Sequence, residues 1–228
     1  METRSTAPNR KTALERLKAI PPGHNLYELA AAYGITVLRN GRLNKGWAGQ
    51  TLERAAGPFT TNNLAGRDGA DFELKSTTLV KRKDLWVPRE TIKVTTLNPE
   101  RILDEDFESS SLWTKLSRLI LVGCAHPTAN NCEIVYIASV NTVDTETKEA
   151  IENFWMDVKH TVCDGEIANY KNLGSSDDLL QLRPTGTSRD LSLCPITQEP
   201  FPSCAFYATK RLIQRFFAVG VSDHSDLY

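Results

Sequence analysis

The chain has 228 residues, 40% of them hydrophobic and 24% charged, with 27 Lys+Arg against 28 Asp+Glu. This is the composition of one soluble globular domain, or of a domain with a smaller lobe, and it excludes a disordered chain. Apolar runs such as Leu119–Val122 are far short of the roughly 18 residues that a membrane span needs. The five cysteines (Cys124, Cys132, Cys163, Cys194 and Cys204) form no CxxC pair, which excludes a zinc ribbon and reads as free thiols in a reducing cytoplasm. The polar, basic start METRSTAPNRK does not read as a signal peptide. Charge is unevenly placed along the chain. Residues 1–101 carry 17 Lys+Arg against 10 Asp+Glu, and residues 102–178 carry 5 against 14. The sign change allows a basic surface with an acidic back, or two blocks that the fold mixes.

Leu14, Leu17 and Ile20 predict a helix over 11–20, stopped by Pro21-Pro22-Gly23. A second helix over 26–33 has Asn25 as its cap and Gly34 as its stop. Residues 35–44 read as loop. A third helix runs from Lys45 to Ala56, with Asn44 as candidate cap and Gly57-Pro58 as stop. Residues 57–69 are rich in Gly, Pro and Asn and read as loop. Asp71–Lys75 alternates as a half-buried strand does. A turn at Lys81-Arg82-Lys83 and a strand over 91–96 follow. A helix start is predicted at Trp113–Lys115, after Ser109–Ser111. Leu119–Cys124 and Cys132–Val140 are the clearest strands. Asp144 caps a helix over 145–158, Leu179–Arg183 is a strand closed by Pro184, and a last helix covers about 209–217. Helices first, strands next and a mixed end predict an α+β or mixed α/β fold. With no repeat and no low-complexity linker, the chain reads as a single domain whose first 20 residues are peripheral. No Walker A or GxGxxG sequence occurs.

The segment with chemical content is Glu73-Leu74-Lys75, preceded by Asp68. Residues i and i+2 of a strand share a face, so Glu73 and Lys75 converge on one point. Two carboxylates suit Mg²⁺, which takes oxygen ligands and keeps several waters. An ammonium beside them can act on a water and on a scissile phosphate. The pattern Asp/Glu-x-Lys occurs also at Glu146/Lys148 and Asp157/Lys159. Those two lie in a helical pattern, where i and i+2 diverge. An exposed cross-strand ion pair is the bland alternative for Glu73 and Lys75, as a solvated helix carboxylate is for Glu53. The four histidines have no ligand spacing.

Seven segments, in order over roughly residues 25–218, resemble the MutH-type endonucleases of the PD-(D/E)XK superfamily. That family includes the mismatch-repair nicking enzyme and the related GATC-cutting type II restriction enzymes. Asn25–Ala31 resembles the family's early helix. Lys45-Gly46-Trp47-Ala48-Gly49 with Leu52-Glu53 is similar to its KGWxGxxLE helix, and Glu73-Leu74-Lys75 to its GVELK strand. Glu90-Thr91-Ile92 is similar to its ETT segment, and Phe107–Ser110 through Lys115 to its (W/F)ETS…K stretch. Leu180–Pro184 resembles LQIRP, and Phe206-Tyr207 to Lys210 resembles FYLKK.

The resemblance implies a restriction-endonuclease-like mixed sheet flanked by helices, with two lobes forming a DNA cleft. It implies Glu53, Asp68, Glu73 and Lys75 as the catalytic set. Asp68 and Glu73 would be the main Mg²⁺ ligands, with Glu53 in support and Lys75 acting on the nucleophilic water. Lys45, Lys115, Arg183, Phe206, Tyr207 and Lys210 would meet DNA. Where the family has its first Asp, seven residues before the Glu, this chain has Gly66. Asp68 is the expected substitute, and Asp71, on the strand face of Glu73, is its rival. The implied activity is a Mg²⁺-dependent, sequence-specific cut of double-stranded DNA at a GATC-like site by a type II restriction enzyme. A homodimer on DNA and a cognate DNA methyltransferase would be its partners, and no membrane. The Phe107–Lys115 stretch is closer to the restriction branch. A repair-type nickase and a non-catalytic DNA-binding or allosteric domain of the same family are the alternatives.

Overall fold

The computed structural model describes residues 8–21, 23–57, 71–128, 131–140, 144–187 and 189–222. In chain order the elements are α1 (Arg10–Lys18), α2 (Leu26–Ala32), β1 (Leu38–Arg39), β2 (Arg42–Leu43), α3 (Trp47–Ala56), β3 (Glu73–Arg82), β4 (Leu85–Pro88) and β5 (Ile92–Thr96). There follow α4 (Arg101–Asp104), a 3-10 turn (Phe107–Ser109), α5 (Ser111–Leu116), β6 (Leu119–Ala125), β7 (Ile134–Ser139), α6 (Thr145–Cys163) and a second 3-10 turn (Ile167–Asn172). The chain ends with β8 (Leu180–Pro184), β9 (Leu191–Leu193), β10 (Pro200–Pro202), β11 (Cys204–Ala208) and α7 (Lys210–Ser222). The fold is mixed α+β, as expected. No helix among the described residues is long and apolar enough to cross a membrane.

The chain divides into two compact units. The first comprises residues 1–90, 118–141 and 216–228, and the second residues 91–117 and 142–215. In sequence the first has 16 Lys+Arg against 12 Asp+Glu and the second 11 against 16. The charge asymmetry along the chain therefore persists between the units.

The first unit is built on a four-stranded sheet of order β4-β3-β6-β7. β3 and β6 are parallel, with Glu73 opposite Leu119 and Lys75 opposite Leu121, and the two outer pairings are antiparallel. Leu74, Ile120, Val122 and Cys124 share one face by the period of two, and they pack with Leu17 of α1, Leu26 of α2 and Leu52 of α3 in one buried cluster. Tyr27 and Trp47 stack at 4.9 Å between α2 and α3. On the opposite face the bare backbone of Gly123 lets Leu79 and Phe217 approach. A Cβ there would come within 2.5 Å of Leu79 Cδ1 and 3.0 Å of Phe217 Cζ.

The second unit holds the antiparallel sheet β5-β11-β8 and the hairpin β9–β10. Leu180, Leu182 and Phe206 are buried on one face of its sheet. Phe206 meets Phe154 of α6 edge-on at 6.3 Å, and Trp155 of α6 lies 5.9 Å from Phe107.

The caps predicted at Asn25 and Asp144 are present: Asn25 Oδ1 accepts from Tyr27 N–H at 3.1 Å and Asp144 Oδ1 from Thr147 N–H at 2.8 Å. Asn44 does not cap α3. Its backbone N–H donates to Val37 O at 2.8 Å and its side-chain amide to Thr36 O at 2.9 Å. That closes the β1–β2 hairpin, which occupies the segment expected to be loop. The cap of α3 is Gly46 in a left-handed conformation, φ 83°. Lys81 and Arg82 are strand rather than turn, because β3 continues past the predicted end and reverses at Lys83 and Asp84. α6 runs beyond the predicted Val158 to Cys163.

Candidate active site

Glu73 and Lys75 project from the same face of β3, as the period of two requires. Glu73 Oε1 lies 2.5 Å from Lys75 Nζ. The Glu73 side chain is fully buried while that of Lys75 is 27% exposed. A carboxylate taken out of water this completely needs a counter-charge or a cation to be tolerable, and Lys75 supplies one. The strand entry is fixed as well: Glu73 N–H donates to Arg118 O at 3.2 Å. The pairing is thus a held constellation, unlike an exposed surface ion pair. The other two Asp/Glu-x-Lys matches lie in α6, where their lysines turn elsewhere. Lys148 pairs with Glu108, and Lys159 donates to Glu105 O at 2.8 Å.

Glu53 is half-buried in the last turn of α3. It stands one turn beyond Gly49, where a Cβ would meet Ser76 Oγ of β3 at 3.7 Å. Ser76 alternates with Glu73 and Lys75 on β3, so α3 packs on the Leu74 face of the strand, opposite to the Glu73–Lys75 pair. Asp68 falls outside the described residues. Its rival Asp71 has its carboxylate committed elsewhere. Oδ1 accepts from Arg10 N–H at 2.7 Å and Oδ2 from Arg118 at 2.9 Å.

Among the described residues no group of three His, Cys, Asp or Glu side chains is gathered to hold a metal. Among the described residues the donor at this point of β3 is the hard carboxylate of Glu73. A carboxylate oxygen is the kind of ligand that Mg²⁺ takes, commonly one or two of them together with substrate phosphate.

The residues expected to meet DNA are distributed over both units. Lys45 is exposed in the first unit, just before α3, on a groove of about 510 Å³ lined also by Gly46, Ser76, Thr78 and Glu90. Lys115 is in the last turn of α5 in the second unit. Arg183 and Tyr207 lie together on the outer face of the β5-β11-β8 sheet, the guanidinium carbon 5.2 Å from the ring centroid. Arg183 also donates to Thr91 Oγ1 at 2.9 Å. Lys210 is exposed at the start of α7. Phe206 is a correction. It is 2% exposed in the core of the second unit, so it supports the sheet from within and only Tyr207 of that pair faces outward.

Lys93 was not singled out from the sequence. It stands opposite Tyr207 on β5 and donates to Thr185 Oγ1 at 3.1 Å, which completes a face of two cations and an aromatic ring. The alternation Thr91-x-Lys93 placed both on one strand face. Only the antiparallel register brings that face to Arg183 and Tyr207.

A mixed sheet flanked by helices, with a buried glutamate and a lysine two residues apart on one strand, is the arrangement of the restriction-endonuclease-like class. Residues 61–153 match the family model of the DNA mismatch repair enzyme MutH, about two fifths of the chain. Over that segment the chain is similar to the MutH-type endonucleases, and the match supports a nuclease of the MutH and restriction-endonuclease type. The matched segment contains Asp68, Glu73, Lys75 and Lys115, and it leaves out Glu53, Arg183, Tyr207 and Lys210. No curated protein matches the chain.

Proposed function

We propose that the chain is a Mg²⁺-dependent, sequence-specific DNA endonuclease, a type II restriction enzyme acting at a GATC-like site. The observation that carries the reading is the buried Glu73–Lys75 pair on one face of β3, within the segment matched by the MutH family model. Glu73 and Asp68 would hold the ion, with Glu53 in support. Mg²⁺, when bound, would offset charge on the scissile phosphate and lower the pKa of a coordinated water. Lys75, already directed at Glu73 and partly open to solvent, would orient the attacking water and donate a hydrogen bond to the phosphate. Arg183, Tyr207 and Lys210, with Lys45 and Lys115, would hold the duplex chiefly by its phosphates, leaving base edges to fewer side chains. One such site cuts one strand, so a double-strand cut requires a homodimer or two successive nicks. A cognate adenine methyltransferase would protect the host site.

The match to a mismatch-repair enzyme's family model favours a second reading, a strand-nicking enzyme recruited by a partner. Incubating unmethylated and adenine-methylated plasmid with Mg²⁺ or EDTA, beside Lys75→Ala, separates the two. Discrete linear fragments from unmethylated DNA, lost with EDTA and with Lys75→Ala, are expected of the restriction enzyme. Nicked circles alone would replace that reading with the repair-type one. Intact plasmid with retained DNA binding would replace both with a non-catalytic domain.

A further inference from the structure

We propose that the corner of the first unit where α1 meets the starts of β3 and β6 is a binding site for an oxyanion of the phosphate class, held by Arg10, Lys11 and Arg118. The proposal does not depend on the nuclease reading.

Arg10 is 6% exposed, yet among the described residues its guanidinium makes a single neutral hydrogen bond, from Nη2 to Ser139 Oγ at 2.7 Å. Its Nε and Nη1 are buried with no hydrogen-bond partner among the described residues. Arginine almost always remains charged, and a buried charge is normally paired. Buried donors left unsatisfied are rare in native structures and call for a ligand or other cause.

The only carboxylate lining the corner among the described residues is Asp71, and its two oxygens are already taken. Oδ1 accepts from the Arg10 backbone N–H and Oδ2 from the Arg118 guanidinium. It therefore neutralises one of two neighbouring arginines. Burial, together with the nearness of Arg118, pushes the Arg10 guanidinium below the ordinary arginine range. Lys11 adds a third cation; among the described residues its only ion pair is the loose one to Glu15 at 4.0 Å.

These groups line an open cavity of about 430 Å³ with Ser139 and Asn9. That is ample for one tetrahedral anion. Guanidinium pairs match phosphate oxygens in a bidentate way that a chloride ion cannot exploit. The same chemistry is offered by a backbone phosphate of DNA and by free phosphate, and the corner adjoins the strand entry through the Glu73 N–H to Arg118 O bond.

The test uses the full chain in EDTA, where no cleavage occurs. Inorganic phosphate is titrated against chloride at constant ionic strength and followed by calorimetry and thermal unfolding. Binding of a short duplex is measured as a function of salt. Wild type is expected to bind phosphate saturably, and Arg118→Ala to weaken that binding about tenfold or more. Arg10→Gln should do the same. If it fails to fold, the exposed Lys11→Ala and Arg118→Ala carry the test. If the natural source is DNA, Arg118→Ala also lowers the slope of log affinity against log salt by about one. If it is free phosphate, duplex affinity and slope stay unchanged while phosphate binding is lost. Absence of saturable phosphate binding, together with an unchanged salt slope in Arg118→Ala, would overturn the proposal.

Discussion

Replacing Lys75 by Met removes the ammonium that lies 2.5 Å from the buried Glu73 carboxylate and keeps most of its apolar stem. At an effective dielectric of about 20 the gross attraction at this distance is roughly 7 kcal/mol. Most of it offsets the desolvation of the carboxylate, which remains as a penalty when the lysine is lost. Breaking a fully buried pair costs about 3–5 kcal/mol. Lys75 is 27% exposed, so solvent screening brings the expected loss down to about 2–3 kcal/mol. For a chain of this size that is a fall in Tm of roughly 5–10 °C. Glu73→Gln/Lys75→Met leaves no buried charge and should fall within about 1 kcal/mol of wild type. Urea unfolding of wild type, both single variants and the double variant in EDTA gives the coupling energy directly. A Lys75→Met protein as stable as wild type, or a double variant no better than that single variant, would refute the inference that the two groups hold each other in place.

Three further outcomes are expected. Gly123→Ala should cost about 1–3 kcal/mol by overpacking, because its Cβ would meet Leu79 Cδ1 at 2.5 Å; chemical denaturation checks this. Asp144→Ala should cost about 1 kcal/mol at neutral pH through loss of the α6 cap. The Thr147 backbone N–H holds the Asp144 carboxyl below its ordinary value, so this contribution is present above the unfolded value near ~3.9 and is lost as pH falls through the folded one. The gap between the two proteins should therefore close in acid unfolding curves. Arg183→Ala, which removes a cation from the Tyr207 ring, should weaken duplex binding about tenfold in anisotropy titrations, with little change in Tm.

The sequence announces its elements wherever one residue carries the instruction. Asn25 and Asp144 cap because their short side chains reach the next turn's N–H groups. Leu119–Val122 reads as a strand because β6 is buried on both faces. The β1–β2 hairpin had its own signal in Asn40-Gly41, both at positive φ (52° and 72°), the pair that two-residue hairpin turns favour. Flanking strands of two residues are too short to show alternation, and the segment reads as loop. For the candidate site, spacing alone put Glu73 and Lys75 on one face. Their burial came from packing, which spacing does not report. The outward turn of Tyr207 and inward turn of Phe206 depend on which face of β11 meets α6, and the Lys93–Tyr207–Arg183 face depends on register. Arg10 gave no sign at all, since a polar residue at the start of an amphipathic helix is ordinarily solvated.

The parallel pairing of β3 with β6 also has a bearing on synthesis. Glu73 pairs with Leu119, 46 positions later, and residues 91–117, which belong to the other unit, must be made in between. The ribosome therefore releases Glu73 and Lys75 well before their strand has its parallel neighbour. The contact is of high order and forms late. A nascent or truncated chain that stops short of Leu119 has Glu73 and Lys75 but not the strand that seats them, so the buried pair takes shape only with the later part of the chain.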